Sequence, residues 1–161
     1  MKSAVLVLAA ACIALAACSS ADDFDEAKAM MESQITTIWN TGHTAMIAET
    51  HAADFVRHNP ASINPAIVNG IAEMENYVTG VLKQYAGFKI EIHDILMDGS
   101  LAAVRWTVTG THRQSGSPVS VDGVSVTRMA EGKVVEEWVT WDTQSVLAQI
   151  DAHTQGETSQ K

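Results

Sequence analysis

Cysteine is almost missing from this chain. Its 161 residues include two, Cys12 and Cys18, both near the start. No thiols remain further along for an internal disulfide, a zinc site or a cysteine nucleophile. Positive charge is also scarce, with 10 Lys and Arg against 19 Asp and Glu. That balance argues against nucleic acid as a partner and against electrostatic adsorption on anionic lipid. There is no glycine-rich phosphate loop, no Gly-x-Ser-x-Gly nucleophile elbow and no His-Glu-x-x-His zinc motif. No apolar run is long enough to cross a bilayer. The longest, over 4–17, falls short of the roughly 20 residues a helix needs.

That run is informative in itself. Lys2 precedes a stretch of small and aliphatic residues that ends in Leu15-Ala16-Ala17-Cys18. A basic tip and a short apolar stretch mark a targeting segment, which takes no part in the fold. The pattern resembles a bacterial lipoprotein signal peptide over 1–17, in which Cys18 would carry the lipid and become the first mature residue. An ordinary secretory peptide cut near Ala17 is the plainer alternative. Ser19 after the cysteine resembles an outer-membrane sorting signal. The expected location is therefore the bacterial cell envelope, lipid-anchored at the outer membrane and facing the periplasm. About 144 residues follow position 17, enough for one domain with a single core.

Residues 18–24 read as a tether. Phe24, Ala27, Met31, Ile35 and Ile38 recur at helical spacing, with Asp22 or Asp23 as cap and Thr41-Gly42 as the stop. A short second helix is expected over 45–49. Asn59-Pro60 disfavours helix at Asn59. The span 59–69, with its prolines and asparagines, reads as loop. A third helix is expected over 70–85. After Gly87 the grammar changes to alternation, and strands are expected from 88, over 101–113, 119–129 and 133–141, with turns at Asp98-Gly99 and Glu131-Gly132. A closing helix over 143–152 and a disordered tail over 152–161 complete the reading. Helices followed by a strand meander imply an α+β domain, with a curved antiparallel sheet enclosing a pocket against the helices.

The segment 122–142 is the most specific. It holds Gly132-Lys133-Val134-Val135-Glu136, then Trp138, then Asp142. Three earlier pieces accompany it: Trp39-Asn40-Thr41-Gly42, Asp54-Phe55-Val56-Arg57-His58-Asn59-Pro60 and Thr109-Gly110-Thr111-His112. In this order and spacing, over 25–151, the chain resembles the SnoaL-like polyketide cyclases (ester cyclases) of the nuclear transport factor 2-like superfamily. The resemblance implies a cone-shaped α+β barrel with a deep apolar pocket, often in a homodimer. It also implies cofactor-free acid-base chemistry of cyclase or isomerase type on a small apolar carbonyl compound. A non-catalytic, lipid-anchored binding protein for a small hydrophobic ligand is the alternative from another class.

Alternation along a strand puts Trp138, Thr140 and Asp142 on one face, with Val139 and Trp141 on the other. The resemblance implies an acid-base role for Asp142, whereas its place before a helix equally suits a cap. His58 and His112 are candidates to position a carbonyl or enolate, or else structural histidines. Trp39, Trp106 and Trp138 are candidates for the pocket wall. His51, Asp54 and His58 fall at i, i+3 and i+7, but Asn59-Pro60 argues for extended chain there, so no metal and no cofactor is expected. Limonene epoxide hydrolases on this fold use an arginine flanked by aspartates, and Arg105 lacks that setting. Ketosteroid isomerases use a tyrosine from the first helix, where this chain has Trp39.

Overall fold

The computed structural model describes residues 21–158; the expected signal peptide, Cys18 and the end of the tail lie outside the described residues. The element order is α1 Ala21–Thr41, α2 Met46–Thr50, β1 His51–His58, β2 Ile67–Asn69, α3 Gly70–Gln84, β3 Tyr85–Asp98, β4 Leu101–His112, β5 Pro118–Ala130, β6 Lys133–Trp141 and α4 Thr143–Thr158. The helices pack on one six-stranded sheet of order β2-β1-β6-β5-β4-β3. Strands β3 to β6 form the expected antiparallel meander. The sheet as a whole is mixed, because β1 runs parallel to β6 and antiparallel to β2. Among the described residues, no helix is long and apolar enough to cross a membrane.

Local sequence explains the joints. Met31, Ile35 and Ile38 lie on the inner side of α1, which ends where Gly42 takes φ 73°; an L-residue there would be strained. Asn40 pins the end of α1 to β3, its amide donating to the Ile90 carbonyl at 3.0 Å and accepting from the Ile90 N–H at 2.7 Å. At the start of α3, Glu73 accepts from the N–H of the N-cap residue Asn69 at 2.7 Å. Glu131 and Gly132, at φ 51° and 75°, make the tight β5–β6 turn. Trp106 lies over Gly123, its cross-strand partner. A Cβ at Gly123 would come within 2.2 Å of the indole, so no larger residue leaves Trp106 in place.

Several boundaries differ from the sequence reading. Residues 67–69, expected as loop, form β2, because three residues suffice to pair with the edge of β1. The start of α1 at Ala21 takes in residues expected as tether, and α4 runs past 152 to Thr158. Two buried clusters support the sheet. One joins Ile38, Ile47, Phe55, Val68, Met74, Val78 and Val134, and the other Met31, Ile90, Ala102, Val104, Trp106 and Val139. Trp39 packs against both.

Candidate functional site

A cavity of about 570 Å³ opens among the helices and the inward face of the sheet. Its walls are mostly apolar, with Ile38, Met74, Phe88, Ile90 and Val104 among them. Trp39, Trp106 and Trp141 line it. A cavity of this size and character is within the range of small-molecule pockets.

One wall is polar. Arg57, at the end of β1, and Glu137, its register partner on β6, form an ion pair at 2.6 Å. The Arg57 Nε donates to Asn59 Oδ1 at 2.9 Å, and the Asn59 amide donates to the Pro65 carbonyl at 2.9 Å. The guanidinium carbon lies 5.3 Å from the Tyr77 ring and 5.7 Å from Trp39, distances at which a cation is attracted to a ring face. Burial raises the Tyr77 phenol above its ordinary pKa, and the adjacent Arg57 partly offsets that. His51 stands nearby, its Nδ1 2.8 Å from Thr50 Oγ1 and its ring edge-on to Phe55. Burial lowers its pKa below 6.5, with Glu137 pulling the other way. Near neutral pH this wall offers a neutral imidazole, a neutral phenol and a paired guanidinium.

A second polar region lies at the far end of β4. His112 lines the cavity there and tilts against Tyr85 at 5.5 Å between ring centres. Its Nδ1 is 2.9 Å from Ser115 Oγ, which is 2.7 Å from Ser117 Oγ. The buried Ser117 hydroxyl donates to the Ile150 carbonyl of α4 at 3.1 Å.

The remaining sequence candidates stand elsewhere. Asp142 is exposed and absent from the cavity lining; its carboxylate accepts the Ser145 N–H at 2.9 Å and caps α4. His58 and Trp138 are on the outward face of the sheet, stacked at 5.5 Å with 5° between their planes. His58 bonds Glu136 at 2.9 Å, and Glu136 also pairs with Arg128, which lies over Trp138. Neither His58 nor Trp138 lines the cavity. His51 faces the cavity while His58 does not, so the i, i+3, i+7 set does not converge on an ion. The expectation failed on parity: Glu137, Val139 and Trp141 share the inward face, and the alternation was right with the wrong face chosen as inner. The signal was present, since Val139 and Trp141 are a more apolar pair than Trp138 and Thr140. In β1, Phe55 likewise carries Arg57 inward with it.

Solved structures share this fold. AclR from Streptomyces galilaeus, a candidate hydroxylase, is 26% identical with a TM-score of 0.66, over 80% of this chain and 97% of that one. TsrD from Streptomyces laurentii is 17% identical with a TM-score of 0.69, over 79% and 96%. IdmH from Streptomyces antibioticus, a candidate polyketide cyclase, is 21% identical with a TM-score of 0.67, over 78% and 99%. No curated protein matches the sequence. The model of the SnoaL-like domain matches residues 19–137, and with the helices and curved sheet of the nuclear transport factor 2-like fold in place, this chain belongs to the SnoaL-like family.

Proposed function

We propose that this protein is a cofactor-free acid-base enzyme of cyclase or isomerase type, acting on a small uncharged carbonyl compound in the central cavity. The observation that carries the reading is a polar wall of buried His51 and Arg57 and half-buried Tyr77 and Glu137 in a mostly apolar chamber. His51 is the base. It removes a proton from the carbon beside a carbonyl, and the electron pair moves onto the carbonyl oxygen. Tyr77 and Arg57 stabilise that enolate, as preorganised donors do where charge develops. Glu137 favours the imidazolium that results. In a cyclase the enolate carbon then attacks a second carbonyl of the same molecule, and His51 returns its proton to the new alkoxide. No atoms are gained or lost.

The test needs no natural substrate. Exchange of a methyl ketone's α-protons in D₂O, followed by NMR, reads the first step alone. His51→Gln should slow it by about 10²–10⁴-fold, the usual contribution of a positioned base. Because burial holds the folded pKa below 6.5, the neutral base persists at neutral pH. The rate should therefore be flat there and fall only as pH drops below 6.5. Unchanged exchange in His51→Gln would leave the binding protein as the better account. One observation favours that second reading. Every described buried polar side-chain atom already has a hydrogen-bond partner, so the wall is complete without chemistry.

We also propose export and lipid attachment at Cys18, supported by the Leu15-Ala16-Ala17-Cys18 pattern. Intact mass of membrane-extracted protein should carry a diacyl or triacyl addition, and an unmodified N-terminus would end this proposal.

A further inference from the structure

The cavity has two polar ends, and the acid-base reading uses one. The wall of Arg57, Tyr77 and Glu137 is tied to β4 through β5. Thr127 pairs with Glu137 on one side and with Ala102 on the other. Ala102 is next to the first residue of the 12-residue β4, and His112 is its last. Inward-facing Val104, Trp106, Val108 and Gly110 fill the row between. By this register Glu137 and His112 are at opposite ends of an apolar row of the sheet.

His112 is held like a group meant to meet something. Its Nδ1 is occupied by Ser115, and its backbone is closed on both sides, its N–H donating to the Ser117 carbonyl at 2.8 Å and its carbonyl accepting from Gly116 at 2.8 Å. The ring lines the cavity, and Nε2 makes no hydrogen bond among the described residues. Nor is it an enclosed, unpartnered atom, since the described residues contain none. With one nitrogen anchored, Nε2 is left for whatever enters the chamber. Among the described lining residues the Asp, Glu, Lys and Arg side chains are Arg57 and Glu137 alone, and they pair with each other. A carboxylate-bearing ligand would meet no free cation, and an ammonium no free anion.

We propose that the cavity is a two-headed site, whose ligand is an uncharged molecule with an apolar body and an oxygen function at each end, one held at Arg57 and Tyr77 and the other at His112 Nε2. This rests on the cavity being the ligand site, not on any reaction there. The role of His112 is recognition: it fixes the length and orientation of the ligand. Such a site discriminates against one-ended molecules, because a ligand without the second oxygen covers His112 Nε2 and leaves it without the hydrogen bond it makes to water.

The experiment uses displacement of N-phenyl-1-naphthylamine, a neutral dye that fluoresces in apolar surroundings. Competitors are straight-chain 2-ketones and the matching terminal diketones of eight to fourteen carbons. In His112→Ala the best diketone should bind about 2- to 10-fold more weakly than in the wild type, the range one net hydrogen bond supplies. The mono-ketones should be nearly unaffected. His112→Gln, which keeps a donor, should recover part of the diketone affinity. Dye binding by each variant confirms that the chamber is intact. Equal loss for mono- and diketones, or no loss for either, would overturn the two-headed site while leaving the cavity as a binding site. Failure of the wild type to bind the dye or any ketone would overturn both readings together.

Discussion

Glu136 and Glu137 are neighbours in the chain and opposites in the fold. Each pairs with an arginine, and each arginine lies over an indole: Arg57 over Trp39 on the inner face, Arg128 over Trp138 on the outer. The inner pair is 7% and 15% exposed at its side chains, the outer 49% and 22% for arginine and glutamate. The residue types are the same, and both glutamates are on β6. Burial is the main difference between them, beside the further contacts of Glu136 with His58 and of Arg57 with Asn59. On the outer face, water competes for both charges and salt screens them, so the pair contributes little. On the inner face each charge depends on the other, because neither can turn to solvent. The comparison teaches that an ion pair's importance here follows from the face it occupies, and so from strand parity.

Breaking each pair measures the difference. The largest effect is expected for Glu137→Ala, which strands Arg57 in the interior. Urea unfolding should register a loss of about 3–5 kcal/mol. If that variant does not fold, Arg57→Met combined with Glu137→Leu should restore most of the stability by removing both charges. An intermediate effect is expected at the boundary between the faces. Asp142→Ala should cost about 1 kcal/mol and Asp142→Asn only a few tenths, because asparagine caps a helix about as well. Loss of ligand binding or turnover in Asp142→Asn, with stability kept, would return Asp142 to the site. The smallest effect belongs to Glu136→Ala, at about 0–1 kcal/mol and shrinking further in high salt. A cost for Glu136→Ala equal to that for Glu137→Ala would remove the distinction between the faces.

The sequence disclosed the elements better than their orientation. Helical spacing placed α1 and α3, and the change to alternation after Gly87 placed the four-strand meander, because both signals are local. The parallel pairing of β1 with β6 is not local. Arg57 and Glu137 meet across 80 positions of chain, and nothing in either short segment announces the partner. Alternation in β6 sorted its side chains correctly into two sets but does not state which set is buried. The inward set is that of Glu137 and Trp141, while Asp142, to which the resemblance assigns an acid-base role, caps α4. The motif residues were informative for another reason: in Trp39-Asn40-Thr41-Gly42 the indole lines the cavity, the amide pins β3 and the glycine turns the chain. His112 was a candidate through the Thr109-Gly110-Thr111-His112 piece, and its ring is on the cavity lining.

The four tryptophans divide along the same line. Trp39, Trp106 and Trp141 line the cavity, while Trp138 stands outside, 39% exposed. The protein therefore carries an optical readout of its own interior. A collisional quencher such as acrylamide reaches Trp138 first and suppresses its emission. The light that survives comes from the three indoles around the chamber, and its wavelength tracks how wet or how full that chamber is.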